Sequence, residues 1–127
     1  MADEERRDPA ALLPLTPTVF HILLALADGE KHGYAIMQEV EARTDGAMRL
    51  GPGTLYGSIQ RMLKDRLIVE VRNRAGATHG DERRRYYRLT GFGQQVLQAE
   101  AQRLEDLVHM ARSKQILPGF GMAGGVS

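Results

Sequence analysis

The spacing of apolar residues changes along this 127-residue chain, and that change restricts the fold more than any other feature. Up to about residue 65, apolar residues recur every three or four positions, as in amphipathic helices. Residues 67–72 and 85–89 are instead short runs rich in β-branched and aromatic residues, which is typical of strands. A final helical repeat follows Thr90. The predicted order is therefore helix, helix, helix, strand, strand, long helix.

The first of the three short helices has clear start signals, because Thr16 suits the N-cap and Pro17 the first helical position. The second is predicted from about His32 to Thr44, and the third over 53–65, where Gly51 can serve as N-cap. The polar stretch between the two strand runs contains glycines and predicts a hairpin with a long tip.

This order predicts a fold that is mainly α with a small β-hairpin, namely a winged helix-turn-helix plus a long C-terminal dimerisation helix. The predicted boundaries are a flexible N-terminal arm at 1–14, a winged helix-turn-helix DNA-binding domain at 15–89, the dimerisation helix at 90–117 and a disordered tail at 118–127. We expect the third helix to enter the major groove and the wing, 73–85, to lie over a flanking groove.

Charge is concentrated in the middle of the chain, although the formal net charge is only +1. From Gln60 to Thr90 there are nine basic and four acidic residues, a balance of about plus five. Three of the cations, Arg83, Arg84 and Arg85, are consecutive and lie where the second strand run begins. A basic hairpin next to a basic helix favours a nucleic-acid partner.

The third helix carries glycines at its front and cations further along its outer side. On a helical wheel the residues predicted to face the core are Leu55, Ile59, Met62 and Leu63, and those predicted to face outward are Gly53, Gly57, Gln60, Arg61 and Lys64. A helix N-terminus attracts phosphate, and glycine lets a duplex backbone come close. Gln60 can read a base edge, most naturally adenine, while Arg61 and Lys64 can reach guanine or phosphates. The alternative, a solvated surface with turn glycines, is disfavoured by the basic hairpin downstream.

Three segments, "HGYAIMQEV", "GPGTLYGSIQRMLKDRLI" and "RRRYYRLTGFGQQVL", resemble the PadR family of bacterial winged-helix transcriptional regulators in order and spacing. The resemblance covers about residues 15–112. It implies a dimer that binds an inverted-repeat operator and usually represses transcription, and the single long last helix is similar to the short members. Two departures stand out, because the family often has serine at Gly51 and usually glycine at Arg66.

The resemblance, the charge pattern and the apolar stripe of the last helix together give the predicted interface residues. The predicted DNA-contacting residues are Gly33, Tyr34, Gly53, Thr54, Tyr56, Gly57, Gln60, Arg61, Lys64, Arg74, Arg83, Arg84 and Arg85. The predicted dimer-interface residues are Phe20, Leu97, Ala101, Leu104, Leu107, Val108 and Ala111.

Two interpretations of the last helix compete. Its apolar stripe could pack wholly within its own subunit. A helix of about 25 residues is ~37 Å long, however, and a winged core of roughly 75 residues cannot cover that length. Dimerisation is therefore favoured, and a two-fold operator with half-sites ~34 Å apart follows from the symmetry.

Other functional classes find little support in the sequence. The histidines (His21, His32, His79 and His109) have no ligand spacing and the chain has no cysteine, so we expect no metal and no cofactor. No pattern of acid pair, Ser-His arrangement or phosphate loop suggests an enzyme. No apolar run predicts a membrane span, and the lack of cysteine fits the cytoplasm.

Some short PadR-like regulators bind flat aromatic compounds between subunits, sometimes by stacking on tryptophan, so the resemblance makes a small aromatic effector at the dimer interface possible. The chain has no tryptophan, and core packing is the expected use of Phe20, Phe92, Leu107 and Met110. The alternative function is a protein-interaction module that kept the winged fold without specific DNA binding. The basic wing and third helix favour the DNA-binding regulator.

Overall fold

The computed structural model of the protein describes residues 7–71 and 85–119. Within these ranges the elements are α1 (Pro17–Ala25), β1 (Lys31–His32), α2 (Gly33–Arg43), α3 (Pro52–Lys64), β2 (Ile68–Val71), β3 (Tyr86–Leu89) and α4 (Gly91–Ser113), preceded by a 3-10 helix at Pro9–Leu12. Searched over the same ranges, no helix is long and apolar enough to cross a membrane. The predicted fold class, three helices, a small antiparallel sheet and a long last helix, is confirmed.

The helix ends follow from local hydrogen bonding. The predicted cap of α1 is confirmed, because the Thr16 hydroxyl accepts a hydrogen bond from the Val19 N–H at 3.2 Å. Helix α2 is capped by a histidine, because His32 Nδ1 accepts a hydrogen bond from the Ala35 N–H at 3.2 Å. Gly46 follows α2 with a φ of +80°, which a glycine adopts at little cost.

One apolar core joins the three short helices to β2, β3 and the first half of α4. Its most deeply buried members include Ile22, Leu23, Ile36, Val40, Leu55, Ile59, Met62, Ile68, Tyr87 and Val96. The inward side predicted for α3 is confirmed, because Leu55, Ile59 and Met62 are at most 1% exposed and Leu63 is partly buried. Burial of this side fixes which residues α3 presents to solvent.

The sheet has one strand more than the sequence predicted. The strand order is β1-β3-β2, and both pairs are antiparallel. In the pairing between β1 and β3, Lys31 lies opposite Tyr87 and His32 opposite Tyr86. A two-residue strand is too short to show an alternating pattern, so the prediction of a two-stranded hairpin missed it. The extra strand ties the start of α2 to the root of the wing.

The N-terminal arm differs from its prediction in the residues that the structure describes. Residues 7–14 were expected to be flexible, whereas Pro9–Leu12 form a 3-10 helix that packs against α4. Leu12 and Leu13 contact the core, which gives this segment an apolar anchor. Residues 1–6 lie outside the described part of the chain.

The last helix ends four residues before its predicted end at residue 117. Gln115 adopts a φ of +65°, and the Ile116 N–H donates to the Ala111 carbonyl at 2.8 Å. This left-handed turn closes the helix after Ser113, in the pattern of a Schellman motif. A helix of 23 residues is still about 34 Å long. The predicted wing tip, apart from Arg85, and most of the predicted tail lie outside the described residues.

Candidate nucleic-acid interface

The outer side of α3 is open to solvent along its length. The DNA-contacting residues predicted on α3 are all exposed, namely Gly53, Thr54, Tyr56, Gly57, Gln60, Arg61 and Lys64. Arg61 and Lys64 form no side-chain hydrogen bond or ion pair with another described residue. These two cationic side chains on the last turn of α3 thus have no partner among the described residues. They face outward, as a phosphate or base contact requires.

The glycines of α3 have no packing reason to be glycine. A Cβ atom built on Gly53 or Gly57 would meet no atom of the protein within 4 Å, and neither residue has a positive φ. Glycine in a helix costs stability relative to alanine, so an open and exposed glycine is unfavourable for the free protein. Such positions suit a partner whose surface comes closer to the backbone than a side chain would allow.

Gly33 is a glycine for a different reason. A Cβ atom at this position would lie 2.3 Å from the Tyr56 hydroxyl, so the tyrosine ring packs directly over the first residue of α2. Tyr56 nevertheless stays 42% exposed, and Tyr34 beside it is 57% exposed. The contact brings the starts of α2 and α3 together and places two phenols on one surface.

An open cleft of about 360 Å³ lies where α2, α3 and β3 meet. It is lined by His32, Gly33, Tyr34, Tyr56, Gln60, Arg85 and Tyr87. Five of these were predicted DNA-contacting residues, and the structure brings them into one place. The cleft offers phenol hydroxyls, an amide and a guanidinium beside the N-terminus of α2, which is a set suited to phosphate oxygens.

One side of the cleft is formed by Tyr87 on β3 and by Arg85, which directly precedes this strand. Arg85 is exposed, and its Nε lies 3.8 Å from the Glu70 Oε2 on β2. Burial, helped by the charge of Glu70, raises the pKa of the Tyr87 phenol above its usual value, so Tyr87 stays neutral. The predicted contacts Arg74, Arg83 and Arg84 lie outside the described residues, so Arg85 is the only described residue among the predicted wing arginines.

Three consecutive main-chain carbonyls hold the C-terminal end of α3 to the rest of the chain. The Asp65 carbonyl accepts from Arg7 Nη1 at 2.7 Å, and the Arg66 carbonyl accepts from the Thr90 hydroxyl at 2.7 Å. The Leu67 carbonyl accepts from the Thr90 N–H at 3.0 Å. We name these three residues, 65–67, the α3 end. Donors from the arm and from the cap of α4 thus fix its place.

Arg66 occupies the position where the resemblance to the PadR family implies glycine. Its φ is +61°, so the arginine itself takes the left-handed conformation that glycine favours. The Leu67 N–H donates to the Met62 carbonyl at 2.9 Å, and the Arg66 N–H donates to the Leu63 carbonyl at 3.1 Å. The turn is therefore a regular Schellman motif, at a small steric cost.

The second half of α4 leaves apolar side chains in solvent. Leu107 is 55% exposed and Met110 52%, and Val108 is also exposed. The predicted dimer-interface residues divide along the chain, because Leu97 is buried in its own subunit and Phe20 packs against the core, while Ala101 is exposed. Leu104 and Ala111 are partly buried. The exposed apolar surface thus lies mainly towards the C-terminal end.

Sequence reasoning missed three contributors to this region. His32 caps α2 and stacks edge-on against Tyr86, with ring centroids 5.3 Å apart, yet histidine is not a usual cap signal. Tyr87 was treated as a strand residue only. Arg7 lies 58 positions before its partner Asp65, and no local sequence pattern predicts such a contact. In the described ranges no group of three or more potential metal ligands occurs.

Comparison with known proteins identifies the family. A sequence model of the transcriptional regulator PadR-like family matches residues 22–99. The chain belongs to the PadR family. PadR-family members are non-enzymatic DNA-binding regulators, so this chain is a transcriptional regulator and not an enzyme, as the sequence predicted.

The chain is also similar to individual proteins. The chain is 31% identical over 105 residues to "Transcriptional regulator Rv3488" of Mycobacterium tuberculosis, covering 83% of this chain and 87% of that protein. It is 38% identical over 80 residues to an uncharacterized 37.1 kDa protein in transposon TN4556 of Streptomyces fradiae, covering 63% of this chain but only 21% of the longer protein. The fold is similar to Bacillus subtilis PadR in complex with operator DNA, with a TM-score of 0.56, 21% identity and coverage of 68% of this chain and 47% of PadR.

Proposed function

We propose that this PadR-family regulator is a homodimeric repressor that reads an inverted-repeat operator. In this proposal α3 lies in the major groove, and the wing, residues 73–85, lies on the flanking groove. The observation that carries the proposal is the outer side of α3, where open glycines at positions 53 and 57 precede Gln60, Arg61 and Lys64. Small residues at the front and cations behind them match a helix that enters a groove N-terminus first.

The cleft between α2, α3 and β3 supports the same orientation. With α3 in the major groove, Tyr34, Tyr56 and Arg85 would face the phosphates at the groove edge, where they fix position rather than read sequence. Arg85 is the described member of the predicted wing contacts, and its guanidinium places positive charge on the same side. A relative in the same fold, Bacillus subtilis PadR, has been solved in complex with operator DNA.

Dimerisation is proposed from α4. Leu107, Val108 and Met110 are exposed apolar residues on the surface of the distal half of a helix about 34 Å long. A second copy is the partner we propose for this surface, because an open groove of about 540 Å³ between α1 and α4, lined by Leu24, Leu97 and Ala101 among others, offers apolar contacts to an incoming helix. The two-fold symmetry of such a dimer would match an inverted repeat.

Two further expectations stay predictions. A small aromatic effector between the subunits is implied by the resemblance to short PadR-like regulators, and the absence of tryptophan argues against a stacking site built on it. A cytoplasmic location is expected for a regulator that must reach bacterial DNA.

The first experiment titrates fluorescent duplexes from the gene's own upstream region and scrambled duplexes at two salt concentrations. We expect tight, sequence-selective binding with a steep salt dependence. Arg61→Ala and Lys64→Ala should each weaken operator binding, by about 1–3 kcal/mol if the side chains reach base edges. Lys114→Ala is the control, since it removes a cation at the far end of α4.

The alternative function, a protein-interaction module, makes the opposite prediction. Such a module would bind both duplexes equally and weakly, and neither Arg61→Ala nor Lys64→Ala would differ from the Lys114→Ala control. A selective wild-type protein with unchanged affinity in both α3 variants would reject α3 as the reading helix, while leaving DNA binding itself intact.

A further inference from the structure

The N-terminal segment 7–15 bridges two elements that the proposed function requires to be fixed relative to each other. We name this segment the strap. At its start, Arg7 Nη1 donates to the Asp65 carbonyl at 2.7 Å. At its end, the Leu15 N–H donates to Glu100 Oε2 on α4 at 3.0 Å. The strap therefore joins the α3 end to the helix proposed for dimerisation.

The Arg7 guanidinium also contacts α4 directly. Its Cζ lies 4.3 Å from the centroid of the Phe92 ring, in the range of a cation–π contact. Phe92 packs against the core, which holds its ring in place. One guanidinium thus contacts the first turn of α4 with its face and the α3 end with an N–H group.

The other end of the strap is anchored by a buried carboxylate. Glu100 is 1% exposed, and Arg103 donates to both of its oxygens, at 2.6 Å and 3.0 Å. The hydrogen bonds from Arg103 are the main reason that the pKa of Glu100 lies below its usual value, with a smaller contribution from the Leu15 N–H. Glu100 lies eight residues after Phe92, about 12 Å along α4, so the strap is held at two separated points.

The chemistry at the α3 end suits an arginine. The last carbonyls of a helix have no partner within the helix and carry the negative end of its dipole. The Schellman turn satisfies the carbonyls of Met62 and Leu63, and Thr90 satisfies those of Arg66 and Leu67. The Asp65 carbonyl accepts the charged hydrogen bond from Arg7.

We propose that Arg7 is a positioning residue for DNA recognition: it sets the angle between α3 and α4, and through α4 the separation of the two recognition helices in the dimer. This inference deepens the proposed function and rests on it for the DNA readout. A tilt of about 5° at the C-terminal end of α3 would move its N-terminal end by about 1.6 Å over ~18 Å of helix. A displacement of that size breaks hydrogen-bond geometry at base edges.

The test compares Arg7→Met with Lys114→Met. Methionine keeps a long apolar stem but loses the charge and the donors, and Lys114→Met removes one cation at the other end of α4. Binding is measured by fluorescence anisotropy on the selected duplex and on duplexes with the half-sites moved one base pair closer or further apart. Arg7→Met should weaken binding to the native spacing about threefold to tenfold and lose less affinity on the altered spacings than the wild type does.

The salt dependence separates positioning from direct contact. A phosphate contact by Arg7 would lower the slope of log affinity against log salt by about one, whereas a positioning residue leaves the slope unchanged. A lowered slope, or a spacing profile like that of Lys114→Met, would overturn the proposal. Arg7→Lys keeps the charge without the planar face over Phe92, so it should fall between wild type and Arg7→Met.

A measurement without DNA keeps this inference separate from the proposed function. Amide hydrogen exchange in the free protein should accelerate at Asp65, Arg66 and Leu67 in Arg7→Met, while the amides of α2 stay protected. If wild type binds no DNA but exchange accelerates at the α3 end, the proposed function fails and the anchoring by Arg7 stands. Unchanged exchange at these amides would refute the anchoring itself.

Discussion

Replacing Gly57 by alanine should make the free protein more stable and its DNA complex weaker. Gly57 is the sixth of 13 residues in α3, is exposed, and has open space where a Cβ atom would lie. The added methyl group therefore meets nothing in the free protein, while the helix gains a better helix-forming residue. The two effects have opposite signs, so they can be told apart in one variant.

The magnitudes follow from the position. An alanine in a helix interior is favoured over glycine by about 0.8–1 kcal/mol, and with no clash to offset it most of this should appear in the free energy of unfolding. For a chain of this size that corresponds to a rise in melting temperature of roughly 3–5 °C. If DNA packs closely on Gly57, the methyl group acts as overpacking and costs ~1–3 kcal/mol, or about fivefold to 150-fold in affinity.

The assay combines thermal unfolding with anisotropy titration, using Gly91→Ala as the matched control. Gly91 is also a helical glycine that is exposed and open, but it opens α4 instead of facing the proposed groove. Its replacement should leave operator affinity unchanged. A Gly57→Ala protein that is more stable and binds as well as wild type would refute the close approach of DNA to this turn of α3. A less stable protein would refute the open space around it.

Three other perturbations test separate contacts. Gly93→Ala should destabilise the fold by about 2–3 kcal/mol in denaturant unfolding, because its Cβ atom would lie 1.9 Å from the Leu67 carbonyl oxygen; an unchanged midpoint would reject that contact. Leu107→Lys should give a monomer by light scattering. Its melting temperature should be close to that of the wild-type protein at low concentration, since the residue is exposed in the single chain. A persistent dimer would exclude Leu107 from the interface. Burial and then the charge of Arg43 lower the pKa of His21, so its contribution to stability is present above about pH 6.5 and is lost as pH falls through the folded-state pKa. His21→Gln should flatten that loss between pH 7 and 5, and equal pH profiles would contradict it.

The parts that could be predicted from sequence are those with local causes. The cap at Thr16, the inward side of α3 and the switch from helix to strand all depend on residues within one or two turns of each other. The family motifs are also short continuous stretches of sequence, so they could be recognised without the structure. These features fixed the fold class and the outward side of the proposed reading helix.

The parts that could not be predicted depend on pairings distant in sequence or on unusual choices of residue. Strand β1 exists because two residues meet β3, more than 50 positions later, and two residues carry no period. Gln115 and Arg66 take left-handed conformations with side chains that give no signal for them. The contact between Arg7 and Asp65 is of the same kind, since only the folded chain brings the two together.

The way in which the α3 end is held has a consequence for how this scaffold can change over evolution. Every residue has a carbonyl oxygen, so the hydrogen bonds accepted at 65–67 persist whatever side chains stand there. The outward positions of α3, such as Gln60 and Arg61, can then be replaced one at a time without loosening the helix from its support. A regulator built in this way can acquire a new target sequence in single mutational steps, each of which leaves a folded protein for selection to act on.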